Sequence, residues 1–173
     1  MAASSPAPEF QRASYGRLAL IAGIVVIADQ ATKLAIMHTM QLYQSLPVIP
    51  GFFNLTYIHN PGGAFGFLAG QGLILRRVVF IGLSAGLAAL VFWIYRETSR
   101  HQRWMASGLA LIFGGALGNL VDRIRIGEVV DFLDFYLKGW HWPAFNVADS
   151  AITVGITIFV LQMLFAKTPA RES

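Results

Sequence analysis

Trp104–Arg123, WMASGLALIFGGALGNLVDR, decides what kind of molecule this is. From Trp104 to Val121 only Ser107 and Asn119 are polar. The run is close to the roughly 20 residues that an α-helix needs to cross about 30 Å of hydrocarbon. Working outward, three more runs of this kind appear: Leu18–Ile36, Val78–Tyr95 and Phe145–Ala166. The whole chain agrees, being 55% hydrophobic and 13% charged over 173 residues, with a mean hydropathy of +0.58. Such values lie outside those of soluble domains. An all-α polytopic membrane protein with four transmembrane helices is expected. A single membrane-embedded domain over residues 16–168 would be flanked by a mobile, proline-containing cytoplasmic tail at 1–15 and a short one at 169–173.

The net charge of +4 is a topology signal rather than a nucleic-acid footprint, because the basic residues form no stripe. Arg12 and Arg17 precede the first span, Arg96, Arg100 and Arg103 link the second to the third, and Lys167 and Arg171 follow the fourth. With an even number of spans these clusters share one side, which the positive-inside rule makes the cytoplasm. Arg76, Arg77, Arg123, Arg125 and Lys138 on the other side dilute the asymmetry. A secretory signal at Arg12–Ala28 is disfavoured, since three spans follow and its removal would unbalance the clusters. The absence of cysteine rules out disulfides, thiol nucleophiles and thiolate metal sites.

The first outer link holds LPVIPGFFNLTYIHNPGGAFGFLAGQG, Leu46–Gly72. Phe52–Ile58, aromatic and β-branched between Pro50–Gly51 and Pro61–Gly62–Gly63, reads either as a short strand in a small extracytoplasmic β-element or as a plain connecting loop.

Charged groups at membrane depth need partners or water. Asp29 and Lys33 are one helical turn apart with Gln30 beside them, which fits a structural ion pair with a snorkelling lysine as well as a functional site. Asn119, Asp122 and Arg123 share one face at the end of the third span. Gly114, Gly115, Ala116 and Gly118 just before them suit close helix approach, so this polar face is expected to point into the bundle. An ordinary helix-end salt bridge is the bland alternative. In PAFNVADSAITV, Pro143 suits an early helix position, Asn146 can cap, and Asp149 has already entered the apolar run.

Asp131 and Asp149 lie on either side of a short link that must fold back. Two acids brought close cannot both ionise easily, so one keeps a proton, which is the starting state for aspartyl-type peptide hydrolysis. Other chemistries fit less well. There is no His-Glu-x-x-His, the four histidines are scattered, and the serines lack an evident histidine base. Lys33 and Arg123 argue against a need for a hard cation between the acids. No cofactor or metal is expected.

Taken in order, Asp29, Gln30 and Lys33, then Asn60, Gly62, Ala64 and Phe65, then Gly114, Gly115, Ala116, Gly118, Asn119, Asp122 and Arg123, then Val129–Phe132, then Phe145, Asn146, Ala148 and Asp149 resemble the bacterial lipoprotein signal peptidases, or signal peptidase II. The resemblance runs from the first span to the last. It implies an inner-membrane aspartyl endopeptidase that removes the signal peptide from lipid-modified prolipoproteins just before the modified cysteine. Both termini would be cytoplasmic, the site would face the extracytoplasmic side, and membrane lipid would be a partner of a monomeric enzyme. Asp131 and Asp149 would be the catalytic pair. Asn60, Asn119, Arg123 and Asn146 would hold substrate backbone and dyad, while Asp29, Lys33 and Asp122 support the site; Gln30 and Gly62 belong to the same motifs. The chain departs from the pattern at Pro61 and Gly63, which bears on the reach of Asn60. Leu133–Trp142 matches no motif, and its Asp134 is a second-choice acid. A proton- or ion-coupled transporter with Asp29, Lys33 and Asp122 along its path is the rival class, and a non-enzymatic assembly or lipid-binding subunit is the third.

Overall fold

A computed structural model describes residues 11–62 and 72–165. Within them, four helices are long and apolar enough to cross a membrane: α1 (Tyr15–Thr39), α2 (Leu73–Arg96), α3 (Arg103–Arg125) and α4 (Val147–Phe165). Each of the four apolar runs is a helix, and α1 to α3 extend past their runs by one or more residues at each end. Pro143 lies outside α4, which starts four residues later, because Phe145 is bridged to a strand and Asn146 is the cap.

Helix α3 is the central post, packed against the other three. Its small residues make that possible. A Cβ on Gly114 would lie 2.8 Å from Ala22 Cα of α1, and one on Gly115 would overlap the Ala148 carbonyl oxygen of α4. Where lipid tails are as apolar as side chains, such close packing replaces the hydrophobic drive that assembles soluble bundles. Large exposed apolar side chains, among them Leu20, Ile24, Val78 and Leu164, cover the outward faces of the other helices.

The β-element is larger than a strand in the first link. Both links at one end of the bundle contribute to an antiparallel four-stranded sheet ordered β1 (Ser45–Ile49), β2 (Phe53–Asn60), β3 (Val129–Leu137) and β4 (Trp140–His141). In its register, Ile58 faces Asp131 and Asn60 faces Val129. Leu137–Trp140 closes through Lys138 and Gly139, both at positive φ, the pair of conformations a two-residue hairpin turn needs. Tyr57, Val130 and Phe132 pack on Ile36 of α1 and on Met40 just past its end, so the sheet is seated on the bundle. At the far end, within the segment expected as a tail, Ala13 is buried and donates its N–H to the Thr98 carbonyl at 2.9 Å.

Candidate active site

Asp131 is carried by a strand and Asp149 by the first turn of a helix, and local pairing joins the two. Leu133 and Phe145 exchange backbone hydrogen bonds at 2.8 and 3.1 Å, which docks the lead-in to α4 against β3. Asn146 then caps α4. Its side-chain oxygen accepts the Asp149 N–H at 2.9 Å, and the Asp149 carboxylate accepts the Asn146 N–H at 3.3 Å, a reciprocal capping arrangement. The same Asn146 turns its side-chain amide to Asp131 at 2.7 Å. One residue therefore holds both acids.

The remaining oxygens of the pair are also engaged. Asn60 donates to the second oxygen of Asp131 at 2.9 Å, and Asn119 donates to Asp149 at 2.8 Å. Gly62 steadies Asn60 by donating its N–H to the Asn60 side-chain oxygen at 2.9 Å. It does so at φ +78°, where a Cβ would strike the Phe80 ring at 2.9 Å, so only glycine fits. With Pro61 in place Asn60 still reaches Asp131; Gly63, Ala64 and Phe65 lie outside the described residues.

Behind the pair sits a buried ionic cluster. Lys33 Nζ lies 2.9 Å from Asp29 and 2.7 Å from Asp122, and donates to the Asn119 side-chain oxygen at 3.1 Å. With 2% of its side chain exposed, Lys33 does not snorkel. Each acid of this cluster also holds one backbone N–H. Asp122 takes that of Val130 at 3.2 Å, and Asp29 takes that of Ala148 at 2.9 Å. Val130 and Ala148 are the residues immediately before Asp131 and Asp149, so the cluster sets the backbone on which each acid is mounted. Gln30 donates to both Asp29 and Asp122, at 3.1 and 3.0 Å, closing the set.

Arg123 is half-buried with its guanidinium 5.9 Å from the Phe80 ring centre and donates to the Asn119 carbonyl at 3.5 Å. Nothing in an apolar span marked Phe80 beforehand. No motif marked His59, which adjoins Asn60; it lies 3.2 Å from Glu128 and 3.0 Å from the Tyr57 hydroxyl, tying β2 to the residue just before β3. Asp134 belongs elsewhere, its oxygens taken by Asn54 at 2.9 Å and His141 at 2.8 Å. Three positions along the strand from Asp131, it falls on the opposite face.

Burial pushes the Asp131 carboxyl up to about 6, and the charge of Asp149 pushes it the same way, against the Asn60 and Asn146 amides and Lys33. Asp149 lines one groove, and Asn119, which donates to it, lines a separate cavity. A mostly apolar groove of about 590 Å³ runs from Trp142 and Phe145 along α4 to Asp149, and a cavity of about 230 Å³ between α2, α3 and α4 ends at Asn119 and Arg123.

The family profile described as Signal peptidase (SPase) II matches residues 21–165. The chain belongs to the signal peptidase II family. It is thus a multi-pass membrane protein of a peptidase family. Among similar chains, the lipoprotein signal peptidase of Desulforapulum autotrophicum is 53% identical over 153 residues, covering 88% of this chain and 94% of that one. The lipoprotein signal peptidase of Geobacter sulfurreducens is 51% identical over 147 residues, covering 84% and 89%. A solved bacterial membrane enzyme superposes with a TM-score of 0.80 at 34% identity, covering 95% of this chain and 98% of that one. The signal peptidase II profile runs from within α1 to the end of α4, and so takes in both Asp131 and Asp149.

Proposed function

We propose that this chain is an aspartyl endopeptidase that cuts the signal peptide from lipid-modified prolipoproteins immediately before the modified cysteine, with Asp131 and Asp149 as its catalytic pair. The observation that carries the reading is the double engagement of Asn146 with both acids. One carboxylate removes a proton from water as its oxygen attacks the scissile carbonyl. The other, protonated, gives its proton to the carbonyl oxygen, and a proton returned to the amine nitrogen lets the C–N bond break. A carboxyl raised to about 6 suits such exchange, and the titration belongs to the pair.

The supporting groups receive roles by position. Asn60, Asn119 and Asn146 orient the carboxylates, the Lys33 cluster sets their backbones, and Arg123 on the wall of the cavity between α2, α3 and α4 is placed to hold a substrate carbonyl. The arginines of the first two clusters gather at the bundle end away from the sheet, which supports cytoplasmic termini and an extracytoplasmic site. There the acyl chains of a substrate stay in lipid while the groove along α4 leads its backbone to Asp149. The enzyme works without a metal and as a monomer in this reading.

Purified chain incubated with a lipidated prolipoprotein is expected to release a product beginning at the modified cysteine, in the presence of chelator. Asp131→Asn and Asp149→Asn should insert but release none. Normal processing by either variant, or loss of activity in chelator with return on adding cation, would sink the assignment.

A further inference from the structure

We propose that a basic cavity at the end of the bundle opposite the acid pair binds the phosphodiester headgroup of an anionic phospholipid. The cavity, of about 390 Å³, is lined by Ser14, Arg17, Arg100, His101 and Arg103. These come from the start of α1, the link between α2 and α3, and the first residue of α3. Among the described residues, no acidic one lines it. Among the described residues, none of its three arginines lies within salt-bridge distance of a carboxylate. Concentrated positive charge without internal partners repels itself and calls for an anion.

The walls are built rather than fortuitous. Residues 11–14 are bonded across the link, Ala13 N–H to the Thr98 carbonyl at 2.9 Å and Arg100 N–H to the Gln11 carbonyl at 2.8 Å. The Tyr95 hydroxyl, at the end of α2, donates to the Ser14 carbonyl at 2.6 Å. The arginines are thereby held around one space, and a guanidinium fork matches phosphate oxygens in pairs.

Depth selects a lipid as the source of that phosphate. Tyr15 and Trp104, one residue from the cavity lining on α1 and α3, are 51% and 69% exposed, as aromatics are at the boundary between headgroups and hydrocarbon. Just beyond Tyr15 along α1, Leu20 and Ile24 are exposed apolar side chains. The cavity therefore opens at headgroup level, where basic pockets between membrane helices meet anionic lipid. This site is independent of the peptidase reaction.

The test uses the full chain in detergent, titrated with phosphatidylglycerol or phosphatidylcholine, with the melting temperature and the lipid retained in native mass spectrometry as readouts. Wild type is expected to bind phosphatidylglycerol in preference. Arg100→Gln should weaken that binding about five-fold and Arg17→Gln/Arg100→Gln/Arg103→Gln about a hundred-fold, from the contribution of each surface cation. Lys138→Gln, at the other end, should leave it unchanged. Equal response to the two lipids, a triple variant that binds like wild type, or equal losses in Arg100→Gln and Lys138→Gln would overturn the site. If the triple variant fails to fold, the two single variants decide. Stabilisation by millimolar inorganic phosphate alone, matching that by lipid, would replace the headgroup with a free anion and overturn the proposal.

Discussion

The side-chain amide of Asn146 reaches Asp131 at 2.7 Å from a residue that is wholly buried. Its backbone N–H serves Asp149, so removing the side chain unties one acid and uncaps the helix that carries the other. Asn146→Ala is expected to lower kcat at least a hundred-fold, about 3 kcal/mol for a lost hydrogen bond to a charged group, with a smaller change in KM. Steady-state cleavage of a lipidated substrate checks this. A variant with wild-type kcat would mean that the bridge is structural only. Asp134→Asn, which touches neither acid, should keep its kcat.

The pH dependence of stability has a definite sign. The Asp131 carboxyl stands at about 6 in the fold against 3.8 in the free chain, so the native state holds this proton more tightly. Its contribution is fully present below about pH 4 and is lost as pH rises through 6, about 3 kcal/mol in all. Unfolding in detergent across pH 4–7 should show wild type losing stability with rising pH, and Asp131→Asn losing the part due to this group. In the proposed mechanism activity follows the same carboxyl. The Asn60 amide favours the ionised form, so Asn60→Ala should move the limb of the pH–rate profile near 6 to higher pH. A limb that stayed put would remove Asp131 from the titrating pair.

Lys33 bridges two buried carboxylates at once. Lys33→Met leaves both uncompensated and should cost about 3–5 kcal/mol. Adding Asp29→Asn and Asp122→Asn should recover part of that loss without restoring activity. Thermal melts of the single and triple variants provide the comparison. Equal melts for wild type and Lys33→Met would show that the cluster carries no structural weight.

Glycines divide by what they face. Gly115→Ala drives a methyl group into the Ala148 carbonyl and Ile152, and should cost about 1–3 kcal/mol while displacing α4 and with it Asp149. Gly82→Ala and Gly86→Ala in α2 meet nothing within 4 Å, and should raise stability by up to about 1 kcal/mol through backbone entropy. Melting temperatures that ranked the other way would contradict the close approach of α3 and α4.

Hydrophobic run length is a one-dimensional property, and so the four helices could be read directly from the chain. Asp29, Lys33, Asn119, Asp122 and Asp149 were legible for a related reason, as polar groups where apolar ones were expected. The strand β3 was not. In VVDFLDFYL the apolar and acidic residues do not alternate, because both faces of much of the strand are covered, and periodicity then carries no signal. In its turn Gly139 is a residue suited to positive φ, whereas Lys138 carries no such preference and so gives no cue. The bonds from Asp122 to Val130 and from Asp29 to Ala148 had no cue at all, since a backbone N–H looks the same at every position.

The bond between Asp29 and Ala148 spans 119 residues, from the first helix to the last. Asn146 and Asp149 likewise enter only with α4, after α1, α2, α3 and the sheet have been synthesised. A nascent chain lacking its final helix has one acid, no bridge, and a carboxylate at Asp29 still awaiting its N–H. On the proposed pairing, the segment made last supplies the second acid, the asparagine that joins it to the first and the N–H that Asp29 accepts, so the final helix closes the bundle and completes the site together.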